Sequence, residues 1–422
     1  MTAQLSFILM GIAFVVAMLA YPYVLAFARK HNFVDNPSAR KLQRVPVPVM
    51  GGTVVFIGFA IAVVVGMLIV PNSKMLIALL LLFVMYAIGV WDDLKDVSPE
   101  LRFVVELLIV WQMILLLKIE INDFHSLWGV QDIPDVVSVP LSLVAGVGIM
   151  NAINLIDGVD GFCSTFCAMA CAMFAVIFYL IGDMPMFALA LIGIGAVIPF
   201  FFHNVFGKTS KMFMGDGGSL MLGTLLAMFM FRTLSGNAPS ATFEDKGLCL
   251  PALALAILAV PVFDTLKVMI FRVARGQSPF HPDKTHLHHL FIEMNFSHLF
   301  TSAIIVFANF MVVLVLLASW KLGASIDWQL YIVILTALLF TWGFYFFMEW
   351  QHKQNDGDGT ALWQHVSTRD NGRALTSSGL WKFIRKIVDS KFLGTRFVKE
   401  EVAEPVKPVA SDSRPDPRVK EK

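Results

Sequence analysis

Closely spaced aspartates are the residues of this sequence with the clearest potential for chemistry. Together with one asparagine they form an oxygen-rich set: Asp92, Asp93, Asn154, Asp157, Asp160 and Asp216. Carboxylate and amide oxygens suit a hard cation such as Mg²⁺, with Mn²⁺ as the alternative. Because Mg²⁺ usually takes one or two protein carboxylates plus substrate phosphates, the remaining aspartates must bind substrate or move protons.

The segment 154–161 has the order Asn-Leu-Ile-Asp-Gly-Val-Asp-Gly. In a helical turn Asp157 and Asp160 would share one face, because residues three apart are neighbours there. The glycine after each aspartate allows a close backbone approach. The alternatives are an Asx-type turn for this segment and a simple helix stop for Asp92-Asp93.

The densest group of histidines lies in residues 278–289, with Arg272, Arg275 and Lys284 close by in the chain. With these positive charges, His286, His288 and His289 favour phosphate binding through charge-assisted hydrogen bonds. Zinc is the second interpretation, since imidazole is a common zinc ligand. A solvated surface loop is the third.

Two further charged positions lie outside these motifs. Lys41 lies between Asp35-Asn-Pro and the pair Gly51-Gly52, in a loop also rich in proline, so a substrate contact is predicted for it. Asp264 lies inside a predicted membrane span. It could pair with Lys267, three residues on, or support the site from below.

The composition indicates a polytopic membrane protein. Of the 422 residues, 57% are hydrophobic and 15% are charged, whereas an ordinary soluble domain has roughly a quarter charged residues. The mean hydropathy is +0.72. This balance argues against a soluble multidomain enzyme and against disorder. We therefore expect an all-α integral membrane protein with the lipid bilayer as its surroundings, and no nucleic-acid partner.

A spanning helix needs about 20 mostly apolar residues, and the sequence predicts eleven of them. They cover 5–27, 49–70, 75–91, 102–118, 134–153, 161–182, 184–203, 216–235, 249–271, 300–320 and 328–349. Charge gives the orientation, since cytoplasmic loops carry an excess of Lys and Arg. Twelve basic residues lie in segments 28–48, 92–102, 204–215 and 272–299, against five on the other face. The N-terminus is therefore predicted outside and the C-terminus in the cytoplasm.

This topology puts the polar motifs on one face of the membrane. Asp92-Asp93, the 154–161 segment, Asp216 and the histidine segment all fall on the predicted cytoplasmic side, although up to about 200 residues separate them. Carboxylates near a membrane are costly unless they are paired, hydrated or bound to a cation. Four such segments on one face predict a single assembled pocket.

The chain is predicted to divide into three parts: residues 1–350 as the transmembrane catalytic domain, 351–400 as a basic amphipathic tail, and 401–422 as a disordered C-terminus. In the tail, Leu380, Ile384 and Ile387 recur at helical spacing opposite Lys382 and Lys386. Such a helix is typical of a segment lying on anionic lipid. A partner-binding helix is the alternative.

Five motifs, in this order and at these span positions, resemble those of the polyprenyl-phosphate N-acetylhexosamine-1-phosphate transferase superfamily. The motifs are Val34-Asp35-Asn-Pro with Arg40-Lys41 and Gly51-Gly52, then Asp92-Asp93, Asn154 to Gly161, Phe213-Met-Gly-Asp-Gly-Gly-Ser219, and Ser278-Pro-Phe through His286-Leu-His-His289. The Pro282-Asp283 pair before the histidines is most similar to the bacterial undecaprenyl-phosphate N-acetylglucosamine-1-phosphate transferases, the WecA and TagO group. The resemblance covers residues 1–350 and does not extend over the tail.

The resemblance implies a Mg²⁺-dependent transfer of a sugar phosphate from a UDP-sugar to undecaprenyl phosphate in the bacterial inner membrane, with release of UMP. Asp216 resembles the principal metal ligand and Asn154 a residue near the diphosphate. Asp92 and Asp93 resemble the catalytic pair that deprotonates or positions the lipid phosphate. Substrate binding is implied for Asp157, Asp160, His286, His288, His289, Lys41, Arg102 and Arg275.

Three matters stay open at the level of sequence. The sugar is expected to be N-acetylglucosamine, with UDP-MurNAc-pentapeptide or a deoxy-aminosugar donor as alternatives. A homodimer is not decided. The competing class is a membrane transporter with the aspartates and histidines as an ion path. Transporter sites usually lie near the bilayer midplane, whereas these candidates share one surface. A CDP-alcohol phosphatidyltransferase is disfavoured because Val159, Asp160 and Gly161 replace its signature.

Overall fold

The computed structural model describes residues 1–35, 46–237, 243, 245–278, 285–294, 296–355 and 378–390. Within these ranges the chain is almost entirely helical. The helices are α1 (Ala3–Lys30), α2 (Gly51–Ile69), α3 (Ser73–Lys95), α4 (Pro99–Gln112), α5 (Asp135–Leu155), α6 (Phe162–Ile181), α7 (Met184–Phe206), α8 (Gly215–Thr233), α9 (Leu250–Ile257), α10 (Ala259–Ala274), α11 (Leu287–Glu293), α12 (His298–Lys321), α13 (Ile326–Leu338), α14 (Phe344–Asn355) and α15 (Gly379–Val388). Two short strands, β1 (Val34–Asp35) and β2 (Val47–Pro48), pair antiparallel.

The prediction of a polytopic helical membrane protein is confirmed. Many large apolar side chains are exposed on the outer helices, among them Phe7, Leu19 and Leu68. A water-soluble monomer rarely exposes so much apolar surface, whereas a bilayer covers it. The exposed residues therefore mark lipid-facing surface.

The count of eleven spans is not confirmed, although each predicted segment contains a helix. In the described ranges eight helices are long and apolar enough to cross a membrane, or nine if α9 and α10, which meet at 74°, form one bent span. Helix α4 has 14 residues before a π-helical turn at Met113–Leu117. Helix α8 carries Asp216 and Arg232, and other helices enclose it, so it need not be as apolar as a lipid-facing helix.

Helix α8 is the central helix of the fold. It packs against α3 and α5, and its side chains are buried almost without interruption from Gly217 to Thr233. Glycines allow this close packing. A Cβ at Gly52 would lie 2.3 Å from the backbone nitrogen of Gly218, and one at Gly89 would lie 2.5 Å from the backbone of Asp216. Small residues at such crossings let helix backbones approach closely.

The segment before α8 is tied to the start of α2. Val49 forms a parallel bridge with Phe213. The amide of Gly51 donates to the carbonyl of Phe213 at 2.8 Å, and that of Gly52 donates to the carbonyl of Met214 at 2.8 Å. Two helices far apart in the sequence therefore begin side by side, which places the first turn of α8 accurately.

The tail contains the predicted helix, α15, but part of its apolar surface is covered by protein. Trp381 and Val388 are buried, whereas Leu380, Phe383 and Ile387 are exposed. The predicted apolar stripe is thus divided between two surroundings. Residues 401–422, predicted to be disordered, and most of 351–400 lie outside the described residues, so the three-part division of the chain stays a prediction.

We expect Gly52→Ala to destabilise the protein in detergent, because its Cβ would meet the backbone of Gly218 rather than a movable side chain. Overpacking of this kind costs about 1–3 kcal/mol, so the thermal unfolding midpoint should fall by several degrees. Gly148→Ala is the matched control, since a Cβ at that position in α5 meets nothing within 4 Å. Equal midpoints for the two variants would contradict the close packing of α2 on α8.

Candidate active site

A cavity of about 770 Å³ opens where α3, α5, α7 and α10 end and α4, α6, α8 and α12 begin. Its lining in the described residues is strongly acidic. Seven aspartates contribute to it, namely Asp35, Asp92, Asp93, Asp96, Asp157, Asp160 and Asp216. The basic or imidazole side chains on the same walls are Lys211, His289 and His298. Segments that the sequence placed on one face thus come together in a single cavity.

Arg102, from α4, bridges two of the predicted active-site carboxylates. Its Nη1 lies 3.2 Å from Asp92 Oδ2 and 3.5 Å from Asp216 Oδ2. Its Nε lies 3.2 Å from Oε1 of Glu106, a side chain only 1% exposed. Asn151 accepts from Nη2 of the guanidinium at 2.7 Å and donates to Glu106 Oε2 at 2.6 Å. Buried partners therefore fix the orientation of Arg102.

Asp93 holds the beginning of α8. Its Oδ1 accepts from the backbone amide of Asp216 at 2.9 Å, and its Oδ2 accepts from that of Gly217 at 3.2 Å. These amides belong to the helix N-terminus, where backbone donors lack intrahelical partners and negative charge is favoured. Gly215 permits the approach: it has a φ of +74°, and a Cβ there would lie 2.5 Å from Asp93 Oδ2.

Asn154 connects the end of α5 to the same turn. Its Nδ2 donates to Asp216 Oδ1 at 2.8 Å and to Ser219 Oγ at 2.9 Å. The carboxylate of Asp216 is thus contacted by an amide on one oxygen and by Arg102 near the other, while 36% of its side chain remains exposed to the cavity. The pair Asn154–Asp216, predicted at the metal, is brought together.

The loop between α5 and α6 presents Asp160 to a lysine and a histidine. Lys211 Nζ lies 2.5 Å from Asp160 Oδ2, and His298 Nδ1 lies 2.9 Å from the same oxygen. Burial alone would raise the pKa of Asp160, but the hydrogen bond and charge of His298, with Lys211, hold it below the ordinary value. Asp160 is therefore ionised and paired at neutral pH.

Asp157, on the same loop, is in the opposite condition. Burial raises its pKa well above the ordinary value, and repulsion from Asp216, Asp93 and Asp160 adds to this shift. The two aspartates of this motif therefore differ in charge behaviour although only two residues separate them. Burial acts to raise the pKa of both carboxyl groups, and the difference arises because the histidine and the lysine described above pair with Asp160, whereas the charged neighbours that shift Asp157 are other aspartates.

The predicted histidines divide between the cavity wall and a buried support. His289 lines the cavity, whereas His286 and His288 are 3% and 1% exposed. Asp264 Oδ2 lies 2.9 Å from His286 Nδ1, and Asp264 Oδ1 accepts from Lys267 Nζ at 2.7 Å. The predicted pairing of Asp264 with Lys267 is confirmed, and Asp264 also accepts from the backbone amide of Leu287 at 3.1 Å.

His288 packs directly against the aspartate loop. A Cβ at Gly158 would lie 2.8 Å from its Nε2, and that nitrogen is buried without a hydrogen-bond partner in the described structure. Burial, followed by the charges of His289 and His286, lowers the pKa of His288 well below its ordinary value. His288 is thus a neutral spacer between the histidine segment and the loop that carries Asp157.

Besides His286 and His288, three predicted substrate-binding residues are absent from the described lining of the cavity, namely Lys41, Arg102 and Arg275. Lys41 lies outside the described residues. Arg275 is exposed at the end of α10 and is absent from the described lining. Arg102 lies behind the lining and reaches it through Asp92 and Asp216. Substrate roles for these residues stay predictions.

The sequence did not single out several residues that complete the site. Glu106, Asn151, Lys211 and His298 hold the polar groups described above. One signal was available for Glu106: a glutamate four residues after Arg102, in a predicted span, needs a cation. Lys211 and His298 lie about 50 and 140 residues from Asp160, and sequence spacing does not indicate such pairings.

The donor atoms of the cavity fit a hard cation. Among the residues the structure describes, no three His, Cys, Asp or Glu side chains form a ready-made metal site. Mg²⁺ does not require one, because it keeps several waters and is completed by substrate phosphates. Asp216, whose side chain is 36% exposed, could supply a protein ligand, and Asn154 lies beside it with Nδ2 directed at the carboxylate and Oδ1 towards Arg102. The described lining has more aspartates than basic side chains, which favours the binding of a divalent cation.

Comparison with known proteins gives the family. Residues 75–233 match the family model described as glycosyl transferase family 4. A Bacillus subtilis protein named "Probable undecaprenyl-phosphate N-acetylglucosaminyl 1-phosphate transferase" is 31% identical over 71% of this chain and 82% of its own length. Proteins from Yersinia pestis and Escherichia coli K12, named undecaprenyl-phosphate alpha-N-acetylglucosaminyl 1-phosphate transferases, are each 27% identical, over 74% and 64% of this chain and 84% and 72% of their own lengths. The matched residues 75–233 include Asp92, Asn154, Asp157, Asp160 and Asp216, and the chain belongs to glycosyl transferase family 4.

Proposed function

We propose that this protein transfers N-acetylglucosamine 1-phosphate from UDP-N-acetylglucosamine to undecaprenyl phosphate, releases UMP and so starts a lipid-linked surface glycan. The observation that carries the proposal is the acidic cavity whose lining includes Asp92 and Asp216, both of which Arg102 contacts, with Asn154 bound to Asp216. Its relatives are named for this reaction. The cavity lies at the ends of apolar helices, where a lipid phosphate could meet a water-soluble nucleotide sugar.

The reaction needs positioning more than covalent chemistry. An oxygen of the lipid phosphate forms a bond to the phosphorus that bears the sugar, and the bond from that phosphorus to UMP breaks. The sugar's anomeric bond is untouched, so its configuration is retained. Phosphoryl transfer depends mainly on orientation and charge stabilisation. A lipid phosphate is already a nucleophile at neutral pH, so no serine or cysteine nucleophile is required.

The residues divide this work. Asp216 and Asn154 would hold Mg²⁺, and the bound ion would supply charge neutralisation for the diphosphate. Asp92 positions the lipid phosphate, and Arg102, held by Glu106, provides a guanidinium for phosphate oxygens. Asp93 keeps the first turn of α8 in place. Asp157 and Asp160 contact the nucleotide, and His289 contacts the sugar phosphate from the opposite wall.

We also propose that the cavity faces the cytoplasm of a bacterium, in its inner membrane. The supporting observation is the positive-inside pattern of the sequence, because the described basic residues Arg29, Lys208, Lys211 and Arg272 lie near the helix ends that face the cavity. UDP-sugars are made in the cytoplasm, so the donor would have direct access. The N-terminus would then lie outside.

Asp216→Asn should lower UMP release by about 10²-fold or more, because it removes charge at the point where transition-state charge is stabilised. The assay uses purified protein, undecaprenyl phosphate, Mg²⁺ and UDP-N-acetylglucosamine. Asp135→Asn, an exposed aspartate at the other end of α5, is the control and should keep full activity. Substantial activity in Asp216→Asn, with an unchanged unfolding midpoint, would remove Asp216 as the metal ligand.

Chelation should abolish turnover reversibly. EDTA would remove the divalent cation that the proposal places between the cavity aspartates and the diphosphate of the donor, and added Mg²⁺ or Mn²⁺ should restore UMP release. A panel of UDP-sugars in the same assay identifies the donor. A faster rate with UDP-MurNAc-pentapeptide or a UDP-deoxy-aminosugar than with UDP-N-acetylglucosamine would show that the proposed donor is wrong. No lipid-dependent release with any donor, from folded protein, would favour a transporter instead.

Leu94→Cys should react with a membrane-impermeant maleimide only when the cytoplasmic face is accessible. Leu94 lines the cavity and is 41% exposed. Leu322 directly follows α12, at the end of that helix away from the cavity, and it is 88% exposed. Leu322→Cys should therefore react only from outside. The four native cysteines are all buried, which keeps the background low. The reverse labelling pattern would overturn the orientation.

A further inference from the structure

The residue that follows α15 is bound by the loop between α7 and α8. Asp389 Oδ1 accepts from the backbone amide of Ser210 at 2.9 Å and from its hydroxyl at 2.8 Å. The amides of Lys208 and Thr209 complete the set, at 3.0 Å to Oδ2 and 3.2 Å to Oδ1. Successive amides that converge on one carboxylate form an anion-binding nest.

The charge of Asp389 is stabilised in this nest. Burial alone would raise its pKa, but the hydrogen bonds from Ser210 and Lys208 hold the pKa below its ordinary value. The contact is therefore fully formed at neutral pH and is lost only as the pH falls through that lowered pKa. The tail segment thus docks through an ionised group rather than through apolar contact alone.

Helix α15 itself is seated on the end of α7. The Trp381 and Phe206 rings have centroids 4.5 Å apart. Arg385 Nε donates to the carbonyl of Phe206 at 3.1 Å. Leu380 and Phe383 remain exposed on the same helix, so a side that could lie on lipid is still free. The docked side and the predicted lipid side coexist on one short helix.

The same loop is fixed from the transmembrane core. The hydroxyl of Tyr21 donates to the carbonyl of Ser210 at 2.8 Å, and Arg29 donates to the carbonyl of Thr209. Ser210 Oγ lies 3.1 Å from Nδ1 of the buried His203. Tyr21 and Arg29 of the core donate to backbone carbonyls of the loop, whereas Asp389 of the tail accepts from its backbone amides. The two sets of contacts are therefore complementary.

The next residue of this loop reaches the active site. Lys211, adjacent to Ser210, pairs with Asp160 at 2.5 Å on the cavity wall. Two residues further on, Phe213 enters the bridge with Val49 that leads to Gly215 and Asp216. The backbone that binds the tail is therefore continuous with the backbone that presents two cavity residues.

We propose that α15, through Asp389, holds the 207–211 loop in the conformation that pairs Lys211 with Asp160, and that the C-terminal tail is thereby a positioning part of the active site. Asp389 does not touch substrate and acts through Lys211. The kinetic part of this inference rests on the proposed transferase reaction, whereas its structural part does not.

The first test measures the position of Lys211 without turnover. In the full-length protein, Asp389→Asn removes an acceptor oxygen and directs an NH₂ group at backbone donors. Acylation of Lys211 by an amine-reactive ester, followed by mass spectrometry, should become roughly tenfold faster, the effect expected for lost hydrogen bonds to a charged group. Lys386→Gln, an exposed change on the same helix, should leave the rate unchanged. An unchanged rate in Asp389→Asn would overturn the proposal.

The second test is a double-mutant cycle on UMP release. Asp389→Asn should raise the KM for the UDP-sugar roughly tenfold with a smaller change in kcat. In a Lys211→Met background the same substitution should add nothing, because residues that act as one unit are non-additive. Multiplicative effects would show that the tail acts elsewhere and would overturn the proposal. If wild-type protein releases no UMP with any donor, the transferase proposal fails, while Lys211 acylation still decides this one.

Discussion

The fold of the catalytic end depends on one constraint, the capture of the α8 N-terminus by Asp93. Its two carboxylate oxygens accept from the amides of Asp216 and Gly217, which no carbonyl inside α8 can satisfy. This cap brings α3 to α8, and the glycine contacts of Gly52 and Gly89 remove the steric obstacles to it. Asp92, one residue before the cap, and Asp216, inside the capped turn, are placed as consequences.

Around this cap the site is a balance of like charges. Aspartates dominate the cavity lining, and their repulsion is visible in the raised pKa of Asp157. Asp160 is relieved by Lys211 and His298, and Asp92 shares Arg102 with Asp216. The described lining therefore keeps more carboxylates than basic side chains even after these pairings. A surplus of carboxylates is suited to a divalent cation that arrives together with phosphate groups.

The sequence predicted the helices that build this site, and the face on which its polar residues lie, better than it predicted which side chains pair with one another. Hydrophobic length located a helix in every expected segment, and the charge pattern put Asp92, Asn154 and Asp216 on one face. The count of eleven spans is not confirmed, because α4 is short and α8, surrounded by protein, carries charged residues at both ends. The sequence predicted His286, His288 and His289 as substrate contacts, and the structure places His289 on the cavity wall, His286 beside Asp264 and His288 against Gly158. Periodicity reports which face a residue occupies, but not which distant residue will neutralise it.

The same limit explains why the tail looked separate from the catalytic part. A basic amphipathic helix predicts a surface, and lipid is the usual one. The structure adds an aspartate whose partners are backbone amides, which leave no trace in side-chain patterns. Those amides lie in a loop whose carbonyls are already bound by Tyr21 and Arg29 from α1. Because both the amides and the carbonyls of this loop are hydrogen-bonded, few other backbone conformations are available to it. Lys211, the next residue, therefore inherits its position from contacts made on both sides of the chain.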